Sequence, residues 1–199
     1  MVCRVLLVLA HPRATSLTAQ VATRVRERLV AARFIVDFLD LYAEDFDPRM
    51  RPDDEPDWED PDKEYSLEVQ QHMRRIGGAD HIIVIFPVWW SAPPAILKGW
   101  IERTWTHGFA YTPQGSNLTV RTMMWVGLAG TSMRDFVASG LDKHIDRQLR
   151  VEISNFCRIS DARVRMIYDS VDAKEPQVLS TIWHTVEELV HEFITSAGR

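Results

Sequence analysis

Apolar positions recur along the chain in two alternating patterns. Residues 2–10 and 81–86 are nearly unbroken runs of Val, Leu and Ile, as expected of strands buried on both faces of a parallel sheet. Between them Leu17, Val21, Val25 and Leu29 return every fourth residue among Arg24, Arg26, Glu27 and Arg28. That spacing predicts an amphipathic helix, its start marked by the N-cap residues Thr15 and Ser16. Further strands are predicted over 34–41, 123–126 and 164–168. Helices are predicted over 66–76, stopped by Gly77-Gly78, from Ala95 onward, over 142–156, and after Pro176.

Strands alternating with helices, without repeats or a linker, predict one α/β domain over residues 1–199. The expected architecture is a doubly wound parallel sheet of five strands in the order 2-1-3-4-5, the flavodoxin-like arrangement. One stretch breaks the rhythm. Residues 44–64 are acidic and punctuated by Pro48, Pro52, Pro56 and Pro61, which excludes a helix or central strand there. The expectation is a solvated excursion; a loop packed beside the active site or a second subunit, anchored by Trp58, is the other option.

Composition narrows the class. The 199 residues are 46% hydrophobic and 26% charged, with a formal net charge of −5, so there is no basic footprint for nucleic acid. Cys3 and Cys157 stand far apart and read as buried free thiols of a reducing compartment. The apolar run from Val5 to Ala10 is too short for a membrane span or a secretory leader. A soluble, cytoplasmic protein is expected. His184 and His191 lack the spacing of a zinc motif and read as surface residues, so no metal site is expected. His107, just before Gly108, reads as a helix C-terminal cation.

In such a sheet, ligands bind beyond the carboxyl ends of the strands where the strand order reverses. The loops expected there are 11–18, 87–94 and 127–132. The first lacks the glycine fingerprints of Rossmann and P-loop sites. Its Thr15, Ser16 and Thr18 hydroxyls stand at a helix N-terminus beside Arg13, which suits a phosphate. The second carries Trp89 and Trp90 between prolines; one indole is expected in the core and the other against a flat heteroaromatic ring. In the third, Ala129 and Gly130 permit close backbone approach. Together these suit a flavin nucleotide.

Leu9-Ala-His11-Pro, Thr15-Ser16, Phe86-Pro-Val-Trp-Trp90, Pro94-Ala-Ile-Leu-Lys-Gly-Trp-Ile-Glu-Arg103 and Gly108-Phe-Ala-Tyr111 resemble the NAD(P)H:quinone oxidoreductases, flavodoxin-like flavoproteins. The resemblance implies FMN or FAD as cofactor and NAD(P)H as electron donor. It assigns His11, Thr15, Ser16, Leu17 and Thr18 to the flavin phosphate. Pro87, Val88, Trp89, Trp90 and Ser91 match the loop along the ring, and Leu128, Ala129, Gly130 and Thr131 its other backbone contacts. Trp90 and Tyr111 match the substrate pocket, completed by the second subunit of a homodimer. His144 is the candidate counterpart of the family's catalytic histidine, and Arg134 falls near where the family has a tyrosine. Gly127-Leu-Ala-Gly130 replaces the family's frequent Thr-Thr-Gly-Gly, removing two hydroxyls near the ring. The implied reaction is ping-pong, donor and quinone occupying one position in turn. Ancillary subunits of potassium-efflux systems belong to the same family. A regulatory role beside such a transporter, with the acidic excursion as docking surface, is the alternative.

Overall fold

A computed structural model describes residues 3–113 and 115–197; Val2, the expected start of the first strand, lies outside them. Strands β1 (Arg4–Leu9), β2 (Ile35–Asp40), β3 (His81–Pro87), β4 (Thr122–Leu128) and β5 (Asp161–Ile167) form one parallel sheet in the order β2-β1-β3-β4-β5. This is the expected order. Every residue of β3 and β4 is buried, which is why those segments carry no polar alternation.

Helices α1 (Leu17–Ala31) and α6 (Pro176–Ala197) cover one face around Val25, Leu29, Val186 and Phe193. Helices α2 (Leu67–Gly77) and α3 (Ala95–Thr104) cover the other around Ile76, Leu97 and Trp100. Helix α4 (Met133–Ala138), not expected from the sequence, starts at Ser132, whose Oγ accepts from the Asp135 amide at 3.2 Å. Its neighbour α5 (Leu141–Asp146) runs into π-helical turns over Arg147–Asn155, where one α-helix over 142–156 was expected. The wider turn lets Ser154 Oγ donate to Leu149 O at 2.7 Å while accepting from the buried Trp125 Nε1 at 2.9 Å.

The excursion over 44–64 is more than a solvated detour. Phe46 and Asp54 are buried, and residues 52–54 form a short 3-10 turn. Two glycines hold it close. A side chain at Gly99 would strike Pro48, and one at Gly108, whose φ is +85°, would strike the Pro61 carbonyl. At its centre the Arg103 guanidinium, fully buried on α3, meets Asp54 Oδ2 at 2.6 Å and Glu68 Oε2 at 2.7 Å. Ser66 donates to Asp54 through its amide at 2.8 Å and its hydroxyl at 3.0 Å. Burial alone would raise the Asp54 pKa; the bonds from Arg103 and Ser66 outweigh it and hold the carboxyl below its ordinary value.

Candidate active site

The first loop follows β1 into α1. Ser16 caps the helix, its Oγ accepting from the Ala19 amide at 3.1 Å. Among the described residues, no protein acceptor meets the amides of Leu17 or Thr18, and the first turn holds no carboxylate. Those amides, the positive end of the helix dipole and Arg13 make a cradle for an anion. Ser16 and Thr18 are buried, Leu17 is half-buried and Thr15 is exposed. His11 is buried. Its Nδ1 accepts from the Arg13 amide at 3.0 Å, which leaves the ring proton on Nε2. Burial, then the Arg13 charge, lower its pKa and keep the ring neutral at pH 7.

The second loop is a tight turn, not an irregular segment. Trp89 and Ala92 exchange backbone hydrogen bonds at 3.0 and 3.1 Å, while Trp90 and Ser91 sit at φ +50° and +61°. Both central residues at positive φ is the geometry that ordinarily calls for Asn-Gly, so the turn is strained at this rim. Neither indole enters the core, contrary to expectation. Trp89 is 41% exposed and Trp90 fully exposed, because the turn lifts both clear of the sheet. Trp89 meets the edge of the His11 ring at 5.8 Å, joining the first two loops.

The third loop joins them through the sheet. The Val88 amide donates to Leu128 O at 2.8 Å, and the Ala129 amide to Ile167 O at 2.8 Å. Pro87, Leu128 and Ala129 are buried; Val88, Ser91 and Gly130 are half-buried; Thr131 is exposed. The sheet thus brings the three predicted loops together beyond the carboxyl ends of β1, β3 and β4. His144 is exposed on α5, which packs on α4 and β5; its side chain has no hydrogen bond or ion pair among the described residues.

A fourth element was only half visible in the sequence. Trp58 lies over His107 at 5.3 Å and over Tyr111 at 5.6 Å between ring centroids, and Tyr111 meets Phe156 at 5.1 Å. Phe156 and the buried role of His107 were missed. His107 is no helix cap: α3 ends at Thr104, and the ring is buried with Nδ1 2.9 Å from Asp57 O. The usable signal was Arg103, a charge on the apolar face of α3 that required a carboxylate from elsewhere.

The family model for the flavodoxin-like fold matches residues 3–188. The chain belongs to that family. Over 168 residues it is 40% identical to the "uncharacterized NAD(P)H oxidoreductase YcaK" of Escherichia coli (strain K12), covering 84% of this chain and 85% of the relative. The NAD(P)H:quinone oxidoreductase of Methanothermobacter marburgensis superposes with a TM-score of 0.87 at 22% identity, over 94% of this chain and 95% of the other. An FMN-dependent NADH-azoreductase of Bacillus anthracis, in complex with FMN, superposes with a TM-score of 0.73 at 18% identity, over 96% and 99%. Both structures share the fold. The resemblance to NAD(P)H:quinone oxidoreductases, strongest in the sequence between 86 and 111, is matched by 36% identity over 124 residues, 55% of this chain and 45% of the relative, to NAD(P)H dehydrogenase [quinone] 1 of Cavia porcellus.

Cys157 is buried and its thiol is pushed up to about 12 by that burial, but Cys3 is only half-buried, with Arg121 Nη2 3.3 Å from its sulfur. His184 and His191 are exposed, His184 beside Glu188 at 3.3 Å. No described helix is long and apolar enough to cross a membrane.

Proposed function

We propose that the chain is a flavin-dependent NAD(P)H oxidoreductase that reduces quinones or similar planar acceptors, working as a homodimer. The observation that carries the reading is the open amide pair of Leu17 and Thr18, free of any first-turn carboxylate, in a loop joined through His11 to the exposed Trp89–Trp90 turn. A flavin phosphate fits the first and a flat ring the second. The residues that would hold the group are Ser16, Leu17 and Thr18 at its phosphate, and Val88 to Ser91 with Leu128 to Thr131 along its ring. Bound there, the flavin supplies the two-electron chemistry between NAD(P)H and acceptor.

The chain's own residues bind and orient. Neutral His11 offers an Nε2 donor without adding a charge. Buried Ser16 and Thr18 restrict water at the helix end. Tyr111 lines the acceptor position, occupied in alternation with the nicotinamide in a ping-pong order. Exposed His144 is the group this reading assigns to proton delivery. The fully exposed Trp90, with Phe156 exposed as well, supports a second copy covering this rim.

The test is the visible spectrum of the purified protein, followed by anaerobic addition of NADPH and then menadione. A yellow protein that bleaches and then recolours is expected. A colourless protein that takes up neither FMN nor FAD would overturn the reading.

A further inference from the structure

The acidic excursion presents an aromatic side chain to water on a backbone that is pinned on both sides of it. Trp58 is 69% exposed. Immediately before it, Asp57 O lies 2.9 Å from His107 Nδ1; a carbonyl can only accept, so the proton is on Nδ1, and the buried Nε2 has no partner. Three residues after it, Pro61 is held against Gly108 with no room for a side chain between them. The indole is therefore held in place over His107 and Tyr111 rather than trailing from a loose loop. A large apolar face exposed from a fixed position is open to a contact partner, and covering it would be favourable.

The surroundings say what kind of partner. A cavity of about 400 Å³ opens beside Trp58, walled by Pro52, Pro56 and the indole and rimmed by Glu55, Asp57 and Glu59. Among the described residues none of these three carboxylates, nor Asp60, Asp62 or Glu64 nearby, is in an ion pair. Lys63, the cation at the cavity, donates to a backbone carbonyl, Glu55 O, at 2.6 Å. Three carboxylates against one ammonium leave the field at this aromatic face net negative, which attracts planar cations and repels planar anions.

We propose that Trp58 and the carboxylates beside it set acceptor specificity. The indole adds stacking surface next to Tyr111 for planar aromatic acceptors, and Asp57 and Glu59 select neutral or cationic ones over anionic ones. This rests on the oxidoreductase reading above and deepens it by naming the substrate class.

The test compares a trimethylammonium-substituted 1,4-naphthoquinone with 1,4-naphthoquinone-2-sulfonate on the flavin-loaded protein. For the wild type, kcat/KM favours the cationic quinone by about tenfold, less at high salt. Asp57→Asn with Glu59→Gln brings the ratio toward unity. Trp58→Ala raises KM for both quinones by roughly tenfold with little change in kcat, and Trp58→Phe restores most of the loss. Calorimetric binding of the cationic quinone to the oxidised protein weakens in parallel with KM. An unchanged KM in Trp58→Ala, or an unchanged charge ratio in the double variant, would overturn this inference alone. A wild type that binds flavin but reduces neither quinone would overturn the oxidoreductase reading, and this inference with it.

Discussion

Residues 11–18 make the anion cradle at one end of the comparison from a single continuous segment: a strand end, a capping serine and two open amides. Trp58, His107, Tyr111 and Phe156, by contrast, come from separate stretches of chain and meet only because the excursion folds back onto α3 and the segment after it. The first end is stabilised by a cap contributing about 1 kcal/mol. The second hangs on a buried ion pair, Arg103 with Asp54, whose loss of one partner costs several times more. Local chemistry thus builds the end proposed for the cofactor, and long-range packing the end proposed for the acceptor. The two should fail separately.

The largest expected effect tests that separation. Asp54→Ala leaves the buried guanidinium with Glu68 as its remaining carboxylate, takes the acceptor from Ser66, and should destabilise the protein by about 3–5 kcal/mol in urea unfolding. Under native conditions the surviving folded fraction should still take up flavin at the N-terminus of α1. Loss of flavin uptake in that folded fraction would join what the comparison keeps apart.

Ser16→Asp works from the other side. Aspartate caps a helix as well as serine, so stability should hold. A carboxylate about 4 Å from the phosphate should weaken flavin binding by about 1–4 kcal/mol, read by fluorescence titration. Unaltered affinity would remove the phosphate from this helix end.

Acidification should reach both ends, more gently. His11 lies in the cradle; His72 lies under the excursion, its Nδ1 accepting from Trp100 Nε1 at 3.3 Å; His81 lies at the amino end of β3. Burial is the first cause that lowers the pKa of each. Above about pH 6.5 these rings are neutral folded and unfolded alike, and their environments cost nothing. Below it the unfolded chain takes protons that the native state refuses, so stability falls by up to about 1.4 kcal/mol per pH unit for each ring until its folded pKa is reached. Denaturation midpoints at pH 7.5, 6.5 and 5.5 measure this. A flat profile would mean that the rings protonate in place.

Legibility followed the range of the interactions. Strands β1 and β3 were plain because burial on both faces leaves an uninterrupted apolar run. The start of β5 was missed because this edge strand carries Asp161, Arg163 and Arg165, paired with one another or with Glu192 at its surface. Helix α4 is too short for a hydrophobic period to show. The Trp89–Trp90 turn misled because Trp and Ser at positive φ leave no mark of the kind Asn-Gly would.

The sequence by itself determined the order of elements, the sheet they form and the anion-ready start of α1, since each of these rests on contacts within a turn or on the period of a single element. Only the tertiary structure decided where the excursion docks, which carboxylate answers Arg103 and what Trp58 faces. The Arg103–Asp54 bond spans 49 positions and the His107–Asp57 bond 50. Bonds of that span form only once the rest of the domain has met the entropy of closing the loop between them.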